Sequence, residues 1–390
     1  MLGDANQVHA NSVSPDNVVP IEPRFESGNP WAKPSSRASG ATGAAGGTGA
    51  SGAAGGTDPA QATAATELTC LEICAGGGGQ SLGLEQAGFS HVAALEIDPD
   101  ACQTLRGNRP AWNVVEHDIH EFEGTEFKGV DLLAGGVPCP PFSIAGKQLG
   151  ADDERDLFPP ALRLVEECAP AAIMLENVRG LSSARFAGYR EQVLERLHGL
   201  DYETDWQVLN ACNFGVPQLR PRFILVAMRP AAFRYFEWPH AIKTPPTVGE
   251  ALLDYMAADG WPGAAEWASK AGGIGPTLVG GSRKHGGPDL GPTRARNEWL
   301  RLHVDGRGLA DAPPRRTDPV HHLPRLTLPM AAALQGFPAS WRFSGRKTAA
   351  YRQIGNAFPP PVARGVGENI RAALLMARQA AESERLLRAV

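Results

Sequence analysis

The chain has 390 residues, 43% of them hydrophobic, and a formal net charge of −5. That length allows two domains with cores of their own, and no apolar run approaches the roughly 20 residues of a membrane span. An acidic balance excludes a globally basic nucleic-acid binder, so contact with a polyanion would need a local patch.

In chain order, Ala38 to Thr66 is almost wholly Gly, Ala, Ser and Thr. Such a composition buries too little apolar surface to offset backbone ordering, so residues 1–66 are expected to be disordered. They lack the charged-then-apolar layout of a signal peptide. The six cysteines, at 70, 74, 102, 139, 168 and 212, form no C-x-x-C pair. Neither a disulfide framework nor a metal site is expected, which points to a reduced, cytoplasmic protein.

Leu68–Ile73 reads as a buried strand running into Cys74-Ala75-Gly76-Gly77-Gly78-Gly79-Gln80-Ser81, then an amphipathic helix stopped by Gly88. Glycines let the backbone approach a ligand, and a helix start offers free N–H groups. The dinucleotide fingerprint G-x-G-x-x-G fails, because Ser81 or Leu82 occupies its last place. A second strand, Val92–Leu95, ends in Glu96-Ile97-Asp98, about twenty residues on, where a ribose diol would lie. A third apolar-to-acid transition covers Asn113 to Ile119 and includes Asp118. Gly, Glu and Asp at three successive strand ends suit an adenosine-bearing ligand without a pyrophosphate, S-adenosylmethionine rather than NAD.

Val130–Ala134 is a further strand, followed by Gly135-Gly136-Val137-Pro138-Cys139-Pro140-Pro141. Prolines on both sides restrict the backbone, so Cys139 is expected on a stiff loop at a strand's carboxyl end, a fitting place for a nucleophile. A helix from Asp156 to Val165 precedes the strand Ala171–Leu175, which ends in Glu176-Asn177-Val178. A strand-end glutamate parallel to a strand-end cysteine can reach the same crevice. Gln218-Leu219-Arg220-Pro221-Arg222 opens the strand Phe223–Ala227, its alternate arginines expected on one face.

Taken together, Pro138-Cys139, Glu176-Asn177-Val178, Gln218-x-Arg220-x-Arg222, Gln353-Ile354-Gly355-Asn356-Ala357 and the glycine loop resemble, in order, the motifs of the cytosine carbon-5 DNA methyltransferases. The resemblance covers roughly residues 67–375 and is of the bacterial, restriction-modification type. It implies an α/β fold: a Rossmann-like, S-adenosylmethionine-dependent methyltransferase sheet with a second, smaller target-recognition domain. The expected division is 67–230 catalytic and cofactor-binding, 231–345 target-recognition, and 346–390 a helical segment returning to the catalytic domain.

The resemblance also assigns roles. Cys139 would add to carbon 6 of a flipped cytosine, Glu176 would contact ring nitrogen 3 and the exocyclic amine, and Arg222 with Arg220 would hold the base carbonyl or a flanking phosphate. Cys74, Ala75, Gly76, Gly78, Gly79, Gln80, Ser81, Glu96, Ile97, Asp118, Ile119, Pro138 and Asn356 would line the cofactor site. Double-stranded DNA would be met by Ser143, Lys147 and Gln148 of the loop after Cys139, and by Arg283, Lys284, Arg294 and Arg296 of a locally basic stretch. Two positions depart from the family: Pro329-Met330 replaces a usual Arg-Glu pair, and Cys74 replaces a usual aromatic.

The resemblance further implies a monomer in the bacterial cytoplasm, associated with the nucleoid, with a cognate restriction endonuclease acting separately. A tRNA methyltransferase would have a shorter recognition segment than 231–322, and a catalytically silent relative would not keep Cys139, Glu176, Arg220 and Arg222.

Overall fold

The computed structural model describes residues 67–138, 156–242, 244–281, 287 and 289–389. The segment 1–66, Cys139, Ser143, Lys147, Gln148, Arg283 and Lys284 lie outside the described residues.

Seven strands form one sheet: β1 (Leu68–Ile73), β2 (Phe89–Glu96), β3 (Val114–Glu116), β4 (Leu132–Gly136), β5 (Ala172–Val178), β6 (Glu203–Asn210) and β8 (Pro221–Met228), in the order β3-β2-β1-β4-β5-β8-β6. The first five are mutually parallel, and β8 runs antiparallel between β5 and β6. β7 (Gln218–Leu219) pairs instead with a distant two-residue strand, β9 (Gly275–Pro276). In the parallel part the order reverses beside β1, a topological switch point of the kind where open α/β sheets bind ligands, at their carboxyl ends.

Both faces of the sheet are covered. On one, α3 (Phe158–Cys168) and α4 (Ala187–Gly199) bury Phe158, Leu164 and Leu197 against Leu71, Leu133 and Ile173, while α2 (Pro99–Asn108) connects β2 to β3. On the other, α1 (Gly79–Gln86) and the long α10 (Pro360–Arg388) bury Leu84, Val366 and Ile370 against Leu132, Met174 and Ile224. α1 was expected to be amphipathic, yet Gly79 through Leu84 are all buried. It lies against α10 as well as the sheet, so no water-facing stripe is left to it before Glu85.

A third apolar core belongs to residues 248–341. The helices α5 (Val248–Ala257), α6 (Ala264–Lys270), α7 (Thr293–Arg301) and α8 (Leu328–Leu334) gather Leu252, Trp267, Trp299 and Met330, and the core reaches Ala75 and Leu82 of the glycine loop and α1. At the start of α8, Thr327 Oγ1 accepts from Met330 N–H and the Met330 sulfur accepts from Thr327 N–H. The thioether, a weak acceptor, thus completes the reciprocal cap that a glutamate would ordinarily make. The departure from the family pattern at 329–330 leaves this helix start intact.

The chain then returns to the sheet through α9 (Lys347–Asn356) and α10. Pro359-Pro360 divides the helical segment expected over 346–390 into two helices, and α10 continues to Arg388. Its last core residue is Leu374, which is where the apolar pattern stops being readable.

Candidate active site

A cleft of about 610 Å³ opens at the carboxyl ends of β1, β2, β4 and β5. The glycine loop forms one wall. Gly78 holds φ at 85°, in the left-handed region, and turns the chain into α1. A side chain at Gly79 would put its Cβ 2.2 Å from the Phe358 carbonyl oxygen, so only glycine lets α1 start against the entry to α10. Gly79→Ala is expected to raise the cofactor dissociation constant at least tenfold and to lower the melting temperature by several degrees, through overpacking of about 1–3 kcal/mol; calorimetric titration and thermal unfolding check both.

Glu96 ends β2 with its carboxylate fixed by three backbone donors: Gly76 N–H on Oε2 at 2.7 Å, and Ile97 and Asp98 N–H on Oε1 at 2.9 and 2.8 Å. Burial raises its pKa, opposed by these bonds. The same bonds tie the glycine loop to the β2 end. Ile97 is 60% exposed on the cleft rim, an apolar face beside a carboxylate. Asp118 is held below the usual carboxylate range by the backbone N–H and ring of His120, whose Nδ1 lies 2.8 Å from Oδ1.

Cys74 lines the cleft with φ at 53°, and its thiol is pushed up by burial and by Glu96, Glu72 and Asp118. It is therefore a neutral, small wall element. Gln80, at the start of α1, is a lining residue of the cleft; its two amide atoms are buried and without a hydrogen-bond partner among the described residues. A buried amide without partners awaits a polar ligand. These donors and acceptors fit a ligand with a ribose, a base and charged ends.

The opposite wall belongs to β4 and β5. Val137 N–H donates to Glu176 O at 3.1 Å, and Asn177 Nδ2 donates to Val137 O at 2.7 Å. The residue two before Cys139 is thus held by both of its backbone groups. Leu157 N–H bonds Pro138 O at 3.2 Å, so the two flanks of segment 139–155 meet. Glu176 is paired with Arg222, Nε to Oε1 at 2.8 Å, each side chain 11% exposed. Desolvation raises the glutamate pKa, opposed by Arg222 and Arg220.

Of the residues singled out in the sequence, Cys74, Ala75, Gly76, Gly79, Gln80, Glu96, Ile97, Asp118, Ile119, Pro138, Asn356, Glu176 and Arg222 all line this cleft. Gly78 and Ser81 lie behind it. Arg220 does not face it: fully buried, it donates to Leu278 O at 2.7 Å and to Gly355 O and Ala357 O, both at 2.8 Å. The alternation expected of Arg220 and Arg222 fails because Arg220 stands between β7 and β8, where the chain leaves one sheet for the other. Arg294 is exposed on α7, and Arg296 there donates to Thr293 Oγ1.

Sequence reasoning missed four neighbours. His117 and His120 flank Asp118 on the rim, and Arg352 lines the cleft while pairing with Asp98 at 3.1 Å. Trp341 donates from Nε1 to Gly77 O at 3.0 Å and roofs the glycine loop. The first three sit beside residues already chosen and could have been found there; Trp341 lies in no motif. Among the described residues, no group of three or more His, Cys, Asp or Glu could hold a metal ion, and no helix is long and apolar enough to cross a membrane.

Residues 68–372 match the family described as C-5 cytosine-specific DNA methylase. The chain is 58% identical over 313 residues to the Type II methyltransferase M.NaeI of Lentzea aerocolonigenes, covering 79% of this chain and 76% of that protein. It is 53% identical over 312 residues to the Type II methyltransferase M.NgoMIV of Neisseria gonorrhoeae, covering 79% and 98%. A solved structure of a Spodoptera frugiperda DNMT2 shares the fold at a TM-score of 0.55 and 18% identity, covering 78% of this chain and 99% of that one. With a family match over residues 68–372 and most of the singled-out residues lining one cleft, the chain belongs to the C-5 cytosine-specific DNA methylases.

Proposed function

We propose that the chain methylates carbon 5 of a cytosine extruded from double-stranded DNA at one short motif, with S-adenosylmethionine as donor and Cys139 as nucleophile. The observation that carries this reading is the Glu176–Arg222 pair opening into a cleft whose other wall holds Glu96, Asp118 and Gln80, its amide without a partner among the described residues. Glu96 would take the ribose diol, Ile97 and Asp118 the adenine, and the start of α1 with Gln80 the charged end. When bound, S-adenosylmethionine supplies an electrophilic methyl group.

The protein's own residues do the rest. Carbon 5 of cytosine is too weak a nucleophile unaided, and addition of the Cys139 thiolate at carbon 6 makes it reactive. Glu176 holds ring nitrogen 3 and shares a proton with it as charge develops on the ring. Arg222 orients that carboxyl and, lining the same cleft, would take the base carbonyl. Loss of the carbon-5 proton and of Cys139 then restores the ring. A stacked base cannot reach such a site, so the cytosine must be flipped, at about a few kcal/mol. Residues 231–345 would form the domain that chooses the motif, with Arg294 and Arg296 on its DNA side. We place the enzyme in the bacterial cytoplasm as a monomer beside a separate cognate endonuclease.

Labelled S-adenosylmethionine offered with unmethylated plasmid and with tRNA tests the reading. Carbon-5 label on DNA at one motif, absent with Cys139→Ala, is the expected result. Label on tRNA alone would transfer the substrate to RNA, and transfer surviving in Cys139→Ala would remove the nucleophile from its role.

A further inference from the structure

Just past Glu176 the chain carries a feature that the chemistry above leaves unused. From Asn177 to Arg190 there is no Asp or Glu, but there are three arginines, at 179, 185 and 190, on a molecule whose net charge is −5. The segment is short and pinned. Val178 ends β5 in register with Arg222 of β8. Two 3₁₀ turns follow, Arg179–Ser182 and Ala184–Phe186, and Leu181 of the first is buried. Arg190 locks them from behind, donating to Leu181 O and to Ser183 O while its guanidinium lies 5.0 Å from the Trp206 ring.

Arg179 and Arg185 are thereby left on the outside. Both are exposed, and among the described residues no acid pairs with either; Arg185 only rests on the Phe186 ring. Val178, 56% exposed, lines the cleft mouth beside them. The rim begins two residues past Glu176, so a strand whose base enters the cleft would carry its phosphates across it. Arginines on a rigid turn, relieved of acidic partners, are suited to phosphate oxygens.

We propose that Val178–Arg185 is a backbone-contact rim, in which Arg179 and Arg185 take phosphates of the DNA strand that yields its cytosine. This rests on the reading of double-stranded DNA as substrate. The rim positions the strand and reads no sequence, so its contribution is the same for every DNA.

The test is the salt dependence of DNA binding by the full chain, on a duplex carrying the mapped motif and on an unrelated duplex. Each neutralised phosphate contributes about 0.9 to the slope of log K against log salt. Arg179→Ala and Arg185→Ala should each flatten the slope by about 1, and the double variant by about 2, on both duplexes. KM for DNA should rise while kcat at saturating DNA, the methylated motif, cofactor affinity and melting temperature stay as in the parent. Arg385→Ala, past the last core residue of α10, should match the parent. Unchanged slopes in a parent that methylates DNA would sink the rim alone, and a loss confined to the cognate duplex would make these residues base readers instead. A parent that neither binds nor methylates DNA would sink the underlying reading.

Discussion

Glu176→Gln lowers the single-turnover rate of methyl transfer by about 10²–10⁴-fold, the usual yield of a positioned acid, with cofactor affinity close to that of the parent. The amide keeps the shape of the side chain but has no acidic proton to transfer. The glutamate sits with 11% of its side chain exposed, and burial is the largest influence on it, raising its pKa against the opposing charges of Arg222 and Arg220. The net direction is upward, so the protonated form persists above the ordinary carboxylate range. Activity that needs this proton falls as pH rises through the raised value, and that limb of the profile disappears in Glu176→Gln. Stability follows the same sign. A carboxyl with a raised folded-state pKa contributes fully below its unfolded value, and the contribution is lost as pH rises through the folded one. The variant therefore flattens the pH dependence of melting in that window. A full rate in Glu176→Gln, or an unaltered alkaline limb, would take Glu176 out of the chemistry.

How much of this was readable in the sequence differs from residue to residue, for physical reasons. Glu96 and Asp118 were legible because each ends an apolar strand run, and parallel strands deliver their ends to one edge. Glu176 was legible for the same reason, reinforced by β4 and β5 pairing Gly136 with Glu176. The hydrogen bonds that make Glu96 a fixture of the glycine loop were not, since they depend on how closely β1 and β2 approach. Trp341 is further from any signal: its bond to Gly77 spans 264 positions and arises only when the core of residues 248–341 closes on the loop. Where strand periodicity carried the argument it held inside strands and failed between them. Arg222 lies within β8 and faces the cleft, while Arg220, one residue outside it, turns the other way.

Arg220→Met is expected to lower the melting temperature by about 6–12 °C and to raise the cofactor dissociation constant at least tenfold. Among the described residues no carboxylate is bonded to the guanidinium. Its acceptors are three carbonyls, and two of them, Gly355 O and Ala357 O, belong to the C-terminal end of α9, where orphan carbonyls and the negative end of the helix dipole favour a cation. The third, Leu278 O, belongs to the irregular stretch between β9 and Gly281. One side chain thus joins the β7–β8 crossing, the 278–281 segment and the end of α9. Methionine fills much of the volume but leaves three buried acceptors empty, at ~1–3 kcal/mol each. Relief from burying an isolated charge offsets part of this, which leaves about 3 kcal/mol, and that corresponds to the stated shift at roughly 2–4 °C per kcal/mol for a domain of this size. The cofactor is affected because Asn356, Ala357 and Phe358 line the cleft immediately beyond Gly355. Arg220→Lys keeps the charge and reaches fewer carbonyls, so it should fall between parent and methionine variant in both measurements. A direct hold on the base would look different: both variants would lose kcat on DNA while melting and binding cofactor as the parent does, and that outcome would return Arg220 to the base pocket beside Arg222.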